Sequence, residues 1–101
     1  MDNYAVEILE RALRDITEIY EYIRRDKEDA AAKVYCEIRN AIADLRKFPF
    51  RGGAVDKDDI SMNGYRFIVV KPYLIFYKVR GDKITVYHVL DGRRDYLKIL
   101  T

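Results

Sequence analysis

The side chains best suited to chemistry gather in the last third of this 101-residue chain: Arg66, Lys71, His88, Arg93, Arg94 and Tyr96. Guanidinium groups offer several donors in a rigid fork that fits phosphate or carboxylate oxygens. His88 is the single histidine, and its ordinary pKa suits proton transfer near neutrality. The Gly92-Arg93-Arg94-Asp95 cluster follows three β-patterned runs, so the pattern predicts a compact meander that delivers two guanidiniums to one rim.

Each candidate also has a structural reading. Strand alternation sets His88 alongside Val86 and Leu90, and a strand histidine hydrogen-bonded near the sheet surface is favoured over a catalytic one. Arg93 and Arg94 could lie in a solvated turn with Arg94 paired to Asp91 or Asp95; surface pairs contribute only about 0–1 kcal/mol, so binding is the favoured role. Arg66, among apolar Phe67, Ile68 and Val69, is likewise read as functional. Lys71 and Lys78 read as edge or solvent-face lysines. Tyr65, Tyr73, Tyr77 and Tyr87 are expected in the core or in cross-strand pairs, Tyr20, Tyr22 and Tyr35 in helix packing, and Cys36 in a structural role.

The elements that must position these groups follow from periodicity. Tyr4, Val6 and Ile8 alternate as in a short strand. Leu13, Ile16, Tyr20 and Ile23 then recur at helical spacing, as do Ala31, Val34, Tyr35, Ile38, Ala41, Ile42 and Leu45, with Arg24 to Asp29 as a charged connection. Pro49 stops the second helix, and the two are expected to form an antiparallel hairpin. Arg51 to Ser61, with its Gly-Gly pair and three aspartates, reads as an exposed loop. Tyr65 to Val70, Tyr73 to Val79 and Lys83 to Leu90 are β-rich runs separated by short turns. The predicted fold is a single α+β domain of order β-α-α-β-β-β. Its helical hairpin covers an antiparallel sheet, and a short C-terminal helix is possible near Leu97.

Charge is uneven. Met1 to Phe50 carries 9 basic and 11 acidic residues, whereas Arg51 to Thr101 carries 10 and 6, a swing from −2 to +4 within a net +2. The positive field belongs to the C-terminal half. One cysteine without metal-type spacing excludes a disulfide framework or a zinc site, and the expectation is a cytoplasmic protein with no cofactor. No apolar run is long enough to span a membrane.

The order of elements, the Phe48-Pro49 stop, the Gly64-Tyr65-Arg66 start of the sheet, the run Tyr73 to Val79 and the closing block Val86 to Tyr96 together resemble the RelE/ParE superfamily of type II toxin–antitoxin toxins. That resemblance implies a growth inhibitor held inactive in a hetero-oligomer by a cognate antitoxin. RelE-like members cleave mRNA on the ribosome; ParE-like members act against DNA gyrase.

Metal-independent RNA cleavage requires cations that converge on one phosphate, with groups that move protons at both ends. Carried over by position, Arg66 and Arg94 fill two of the four cationic roles of the RelE pattern, while Ile68 and Leu74 occupy the others and Tyr96 offers a phenol near the C-terminal tyrosine position. The depletion resembles the ParE-like branch. The expected function is therefore a gyrase-binding toxin, with Arg66, Lys71, Arg93 and Arg94 contacting target or antitoxin. The alternatives are a ribosome-dependent endoribonuclease using Arg66, Arg94, His88 and Tyr96, or an inactive antitoxin-binding module.

Overall fold

The computed structural model describes residues 3–55 and 64–100. In chain order the elements are β1 (Ala5–Ile8), α1 (Glu10–Arg24), α2 (Glu28–Asp44), β2 (Gly53–Ala54), β3 (Arg66–Val70), β4 (Tyr73–Arg80), β5 (Lys83–Asp91) and α3 (Tyr96–Leu100). The part of the expected loop from 56 onward lies outside the described residues; its start instead forms β2, too short to show as a pattern.

The strands order as β1-β5-β4-β3-β2. Every pair from β2 to β5 is antiparallel, but β1 lies parallel to β5, with Ala5 opposite Lys83 and Ile8 opposite Val86. The sheet is therefore mixed, where sequence predicted antiparallel pairing throughout. The reason is the helical hairpin, which returns the chain to the end where β1 began: Tyr4 N–H donates to the Arg46 carbonyl at 2.9 Å. From there β3 and β5 must run in the direction of β1. Between β4 and β5 the two-residue turn Gly81-Asp82 has Gly81 at φ +60°, a conformation that an L side chain resists.

Both sheet faces are apolar. Ile68, Ile75, Tyr77, Ile84, Val86 and Val89 pack under α1 and α2 against Ala12, Ile16, Ile38, Ile42 and Leu45. Full burial of side chains this size contributes about 1.5–3 kcal/mol each. On α1 Ile16 and Ile23 of the predicted stripe pack on the core, but Ala12 and Ile19 complete it in place of Leu13 and Tyr20, and Leu13 is exposed. The opposite face gathers Tyr65, Phe76, Leu90 and Leu100, which brings α3 down onto the sheet.

A β-bulge breaks the alternation of β5. Phe76 faces His88 but Tyr77 faces Val86, so one residue is extra. Beyond it the phase inverts: Val89 joins the helix side and Leu90 the other, whereas strict alternation puts Leu90 with Val86.

Candidate functional site

Arg66 opens β3 opposite Tyr77, and its guanidinium is turned inward along the chain that leaves α2. One terminal nitrogen donates to the carbonyls of Phe50 (2.9 Å) and Gly52 (2.5 Å), and the group lies 5.3 Å from the centre of the Phe50 ring. Its Nε is buried without a partner among the described residues. Beside it the buried Tyr77 hydroxyl donates to the Pro49 carbonyl (2.8 Å) and accepts from Gly52 N–H (3.2 Å). Gly52 fits only because it lacks a side chain: a Cβ would stand 2.3 Å from the Phe67 carbonyl oxygen.

At the other end of β4, Tyr73 faces Asp91, and Gly92 N–H donates to the Pro72 carbonyl at 2.8 Å. This closure brings Lys71, Arg93 and Arg94 to one rim. Arg93 grips Asp91 through its backbone N–H and Nε on Oδ1, both 2.9 Å, and Nη2 on Oδ2. Those hydrogen bonds hold the Asp91 carboxyl down at about 2 and raise the guanidinium pKa in return. Arg94 is exposed, and among the described residues its hydrogen bonds are made by its backbone, N–H to the Asp91 carbonyl at 3.0 Å and carbonyl from the Tyr96 N–H at 2.9 Å. A cleft of about 460 Å³ opens between this rim and α1, lined by Asp15, Glu18, Tyr22, Tyr73, Arg93 and Arg94 among others. Burial, reinforced by the Asp91 charge, pushes the Tyr73 phenol up, so it faces the cleft as a protonated donor and acceptor.

Arg66 stands four residues along β4 from the Tyr73–Asp91 pair, roughly 14 Å at about 3.4 Å per residue, and lines a different cavity. Arg66 and Arg94 therefore do not share a rim.

His88 follows Tyr87, the extra residue of the bulge, and its side chain is 12% exposed with Nδ1 3.0 Å from Asp15 Oδ2. The same carboxylate oxygen accepts the Val89 N–H at 3.0 Å. Asp15 thus ties α1 to the irregular stretch of β5. The apolar spacing of the first helix does not single out Asp15; the available signal was its spacing of three from Ala12 and four from Ile19, on the buried stripe.

Tyr96 opens α3 on the opposite face, its ring 5.3 Å from Phe76. It joins neither His88 nor the arginine rim. Lys78, read as a solvent-face lysine, lies over the Tyr65 ring at 4.4 Å, and Tyr65 packs edge-on against Tyr87. Tyr20 and Tyr35 pack as predicted, but Tyr22 projects into solvent and Cys36 is an exposed free thiol. Among the described residues no group of His, Cys, Asp or Glu could hold a metal ion. None of their helices is long and apolar enough to cross a membrane.

The fold that carries these arginines, two helices on a five-stranded mixed sheet, has known counterparts. Residues 6–96 match the family described as ParE toxin of type II toxin-antitoxin system, parDE. The chain belongs to this ParE toxin family. Y4kP of Sinorhizobium fredii, which is named as a toxin, is 35% identical over 90 residues, 89% of this chain and 90% of its own length. Among solved structures the fold is similar to a chain of the chromosomal ParDE toxin–antitoxin system of P. aeruginosa (TM-score 0.73, 16% identity, covering 87% of this chain and 95% of that one). It is also similar to a chain of the RelBE2 toxin–antitoxin complex of Mycobacterium tuberculosis (TM-score 0.64, 19% identity, 90% and 93%). The protein is a type II toxin of the RelE/ParE superfamily.

Proposed function

We propose that this ParE-family chain arrests growth by binding DNA gyrase rather than by cutting RNA, and that a cognate antitoxin neutralises it. The observation that carries this reading is the engagement of its cations: Arg66 holds the Phe50 and Gly52 carbonyls and Arg93 holds Asp91. Arg94 alone of the three has an exposed guanidinium without a side-chain hydrogen bond among the described residues. Removal of one oxyanion-type donor costs roughly 2.7–4 kcal/mol, so two missing donors would slow RNA cleavage by roughly four to six orders of magnitude.

His88 with its Asp15 partner is the feature that favours a ribonuclease, since a carboxylate can orient an imidazole for proton transfer. Its burial, and the engagement of Arg66 with the Phe50 and Gly52 carbonyls, weigh against that use. The ParDE and RelBE2 relatives belong to toxin–antitoxin systems, which supports an antitoxin partner here. At the rim of the cleft the exposed Arg94 offers a contact for an acidic side chain of that antitoxin, while Asp15, Glu18 and Asp91 leave the cleft wall itself of mixed charge.

Purified gyrase with supercoiled DNA and ATP tests the target: cleaved DNA–gyrase complexes accumulate with the chain and vanish on addition of the antitoxin. Unchanged gyrase turnover at saturating chain would remove the assignment.

A further inference from the structure

We propose that the Phe48-Pro49-Phe50 turn is a preformed anchor that docks the chain onto an acidic, apolar-centred face of its protein target. The proposal rests on the reading of the chain as a protein-binding toxin and adds the surface that does the binding.

The turn is built to hold its shape. Arg51 N–H donates to the Phe48 carbonyl at 3.2 Å, closing four residues with Pro49 at the position where its fixed φ is favourable. From beneath, Tyr77 holds the Pro49 carbonyl and Gly52 N–H, while Arg66 holds the carbonyls of Phe50 and Gly52. Pro49 is buried, yet the phenylalanines on either side are 61% and 58% exposed. Two large apolar rings locked outward on a rigid backbone match the anchors of protein interfaces, where little conformational freedom remains to be lost on binding.

Charge indicates the partner. Arg46, Lys47 and Arg51 flank the two phenylalanines in the chain and all three are exposed, while the stretch 45–55 contains no carboxylate. The adjacent Asp44 is paired with Arg51 at 3.6 Å. Exposed cations next to an apolar centre suit an acidic rim beside an apolar pocket. A protein is favoured over a stacked nucleobase because the Arg66 guanidinium lies against the Phe50 ring and Tyr4 meets it edge-on at 6.4 Å. The turn also lies at the end of the sheet away from Arg93 and Arg94, so antitoxin and target would engage different surfaces.

The test compares wild type, the double variant Phe48→Ser/Phe50→Ser and the single variant Lys47→Glu. Growth arrest is measured at matched soluble expression, and affinity is measured for purified gyrase, for the antitoxin and for a single-stranded RNA oligonucleotide. The expected result is at least a tenfold loss of toxicity and of target affinity for the double variant, with antitoxin affinity within twofold of wild type. Lys47→Glu, on the surface, should weaken target binding several-fold at low salt and less at high salt; it decides the matter if the double variant misfolds. Toxicity lost by the double variant, when the wild type itself does not bind gyrase, would keep the anchor and remove gyrase as target. Equal gyrase binding by wild type and both variants would overturn the anchor and leave gyrase standing. RNA binding that disappears with the phenylalanines would overturn the protein partner.

Discussion

The two ends of the sheet use arginine in opposite ways. At the Phe50 end, Arg66 is directed into the fold, where it and Tyr77 fasten the chain leaving α2. At the Asp91 end, Arg93 is 77% exposed and organises only its own turn, while Arg94 is held by its backbone and presents its guanidinium outward. A guanidinium on a strand among apolar residues is therefore here a structural clamp, and one in a turn after a strand is a surface available to a partner. The difference teaches that accessibility, more than residue type, separates the two roles.

The contrast can be sharpened by substitution. Gly52→Ala should have the largest effect: its Cβ would collide with the Phe67 carbonyl, which is backbone and cannot swing aside, and the loss of stability should be about 3 kcal/mol. A lower urea midpoint at unchanged slope would record it. Arg66→Ala removes charged donors from two carbonyls and should cost about 2 kcal/mol in the same assay, whereas Arg94→Ala should stay within about 0.5 kcal/mol. Equal costs at the two arginines would erase the comparison.

The smallest effect should be one of pH. Asp91 has a folded pKa of about 2, below the usual carboxylate value of about 3.9, so the folded state binds this proton less readily than the unfolded one. The stabilisation from its pairing with Arg93 is present above pH ~4 and is lost as pH falls from about 4 towards 2. In NMR titrations the Arg93 amide should report that transition, and Asp91→Asn should abolish it.

Much of the fold was legible because periodicity survives tertiary packing: both helices, the three-strand meander and the terminal helix fall where apolar spacing and turn residues put them. The parallel placement of β1 was not, since it depends on where the hairpin returns the chain, which no local pattern records. The bulge before His88 was also silent, and it made strict alternation misplace Leu90. For the candidate site, the gathering of Arg93 and Arg94 was readable from adjacency. The inward turn of Arg66 was not, because its acceptors are backbone carbonyls 14 and 16 residues away, and a carbonyl carries no residue type to read.

The most direct measurement is toe-printing of mRNA on translating ribosomes with the purified chain at stoichiometric and excess concentrations. Cations held apart at two ends of a sheet predict intact message at every codon. Cuts at codon boundaries that disappear with His88→Ala or Arg94→Ala would contradict that reading and place RNA chemistry at the Asp15–His88 pair or the Asp91 rim.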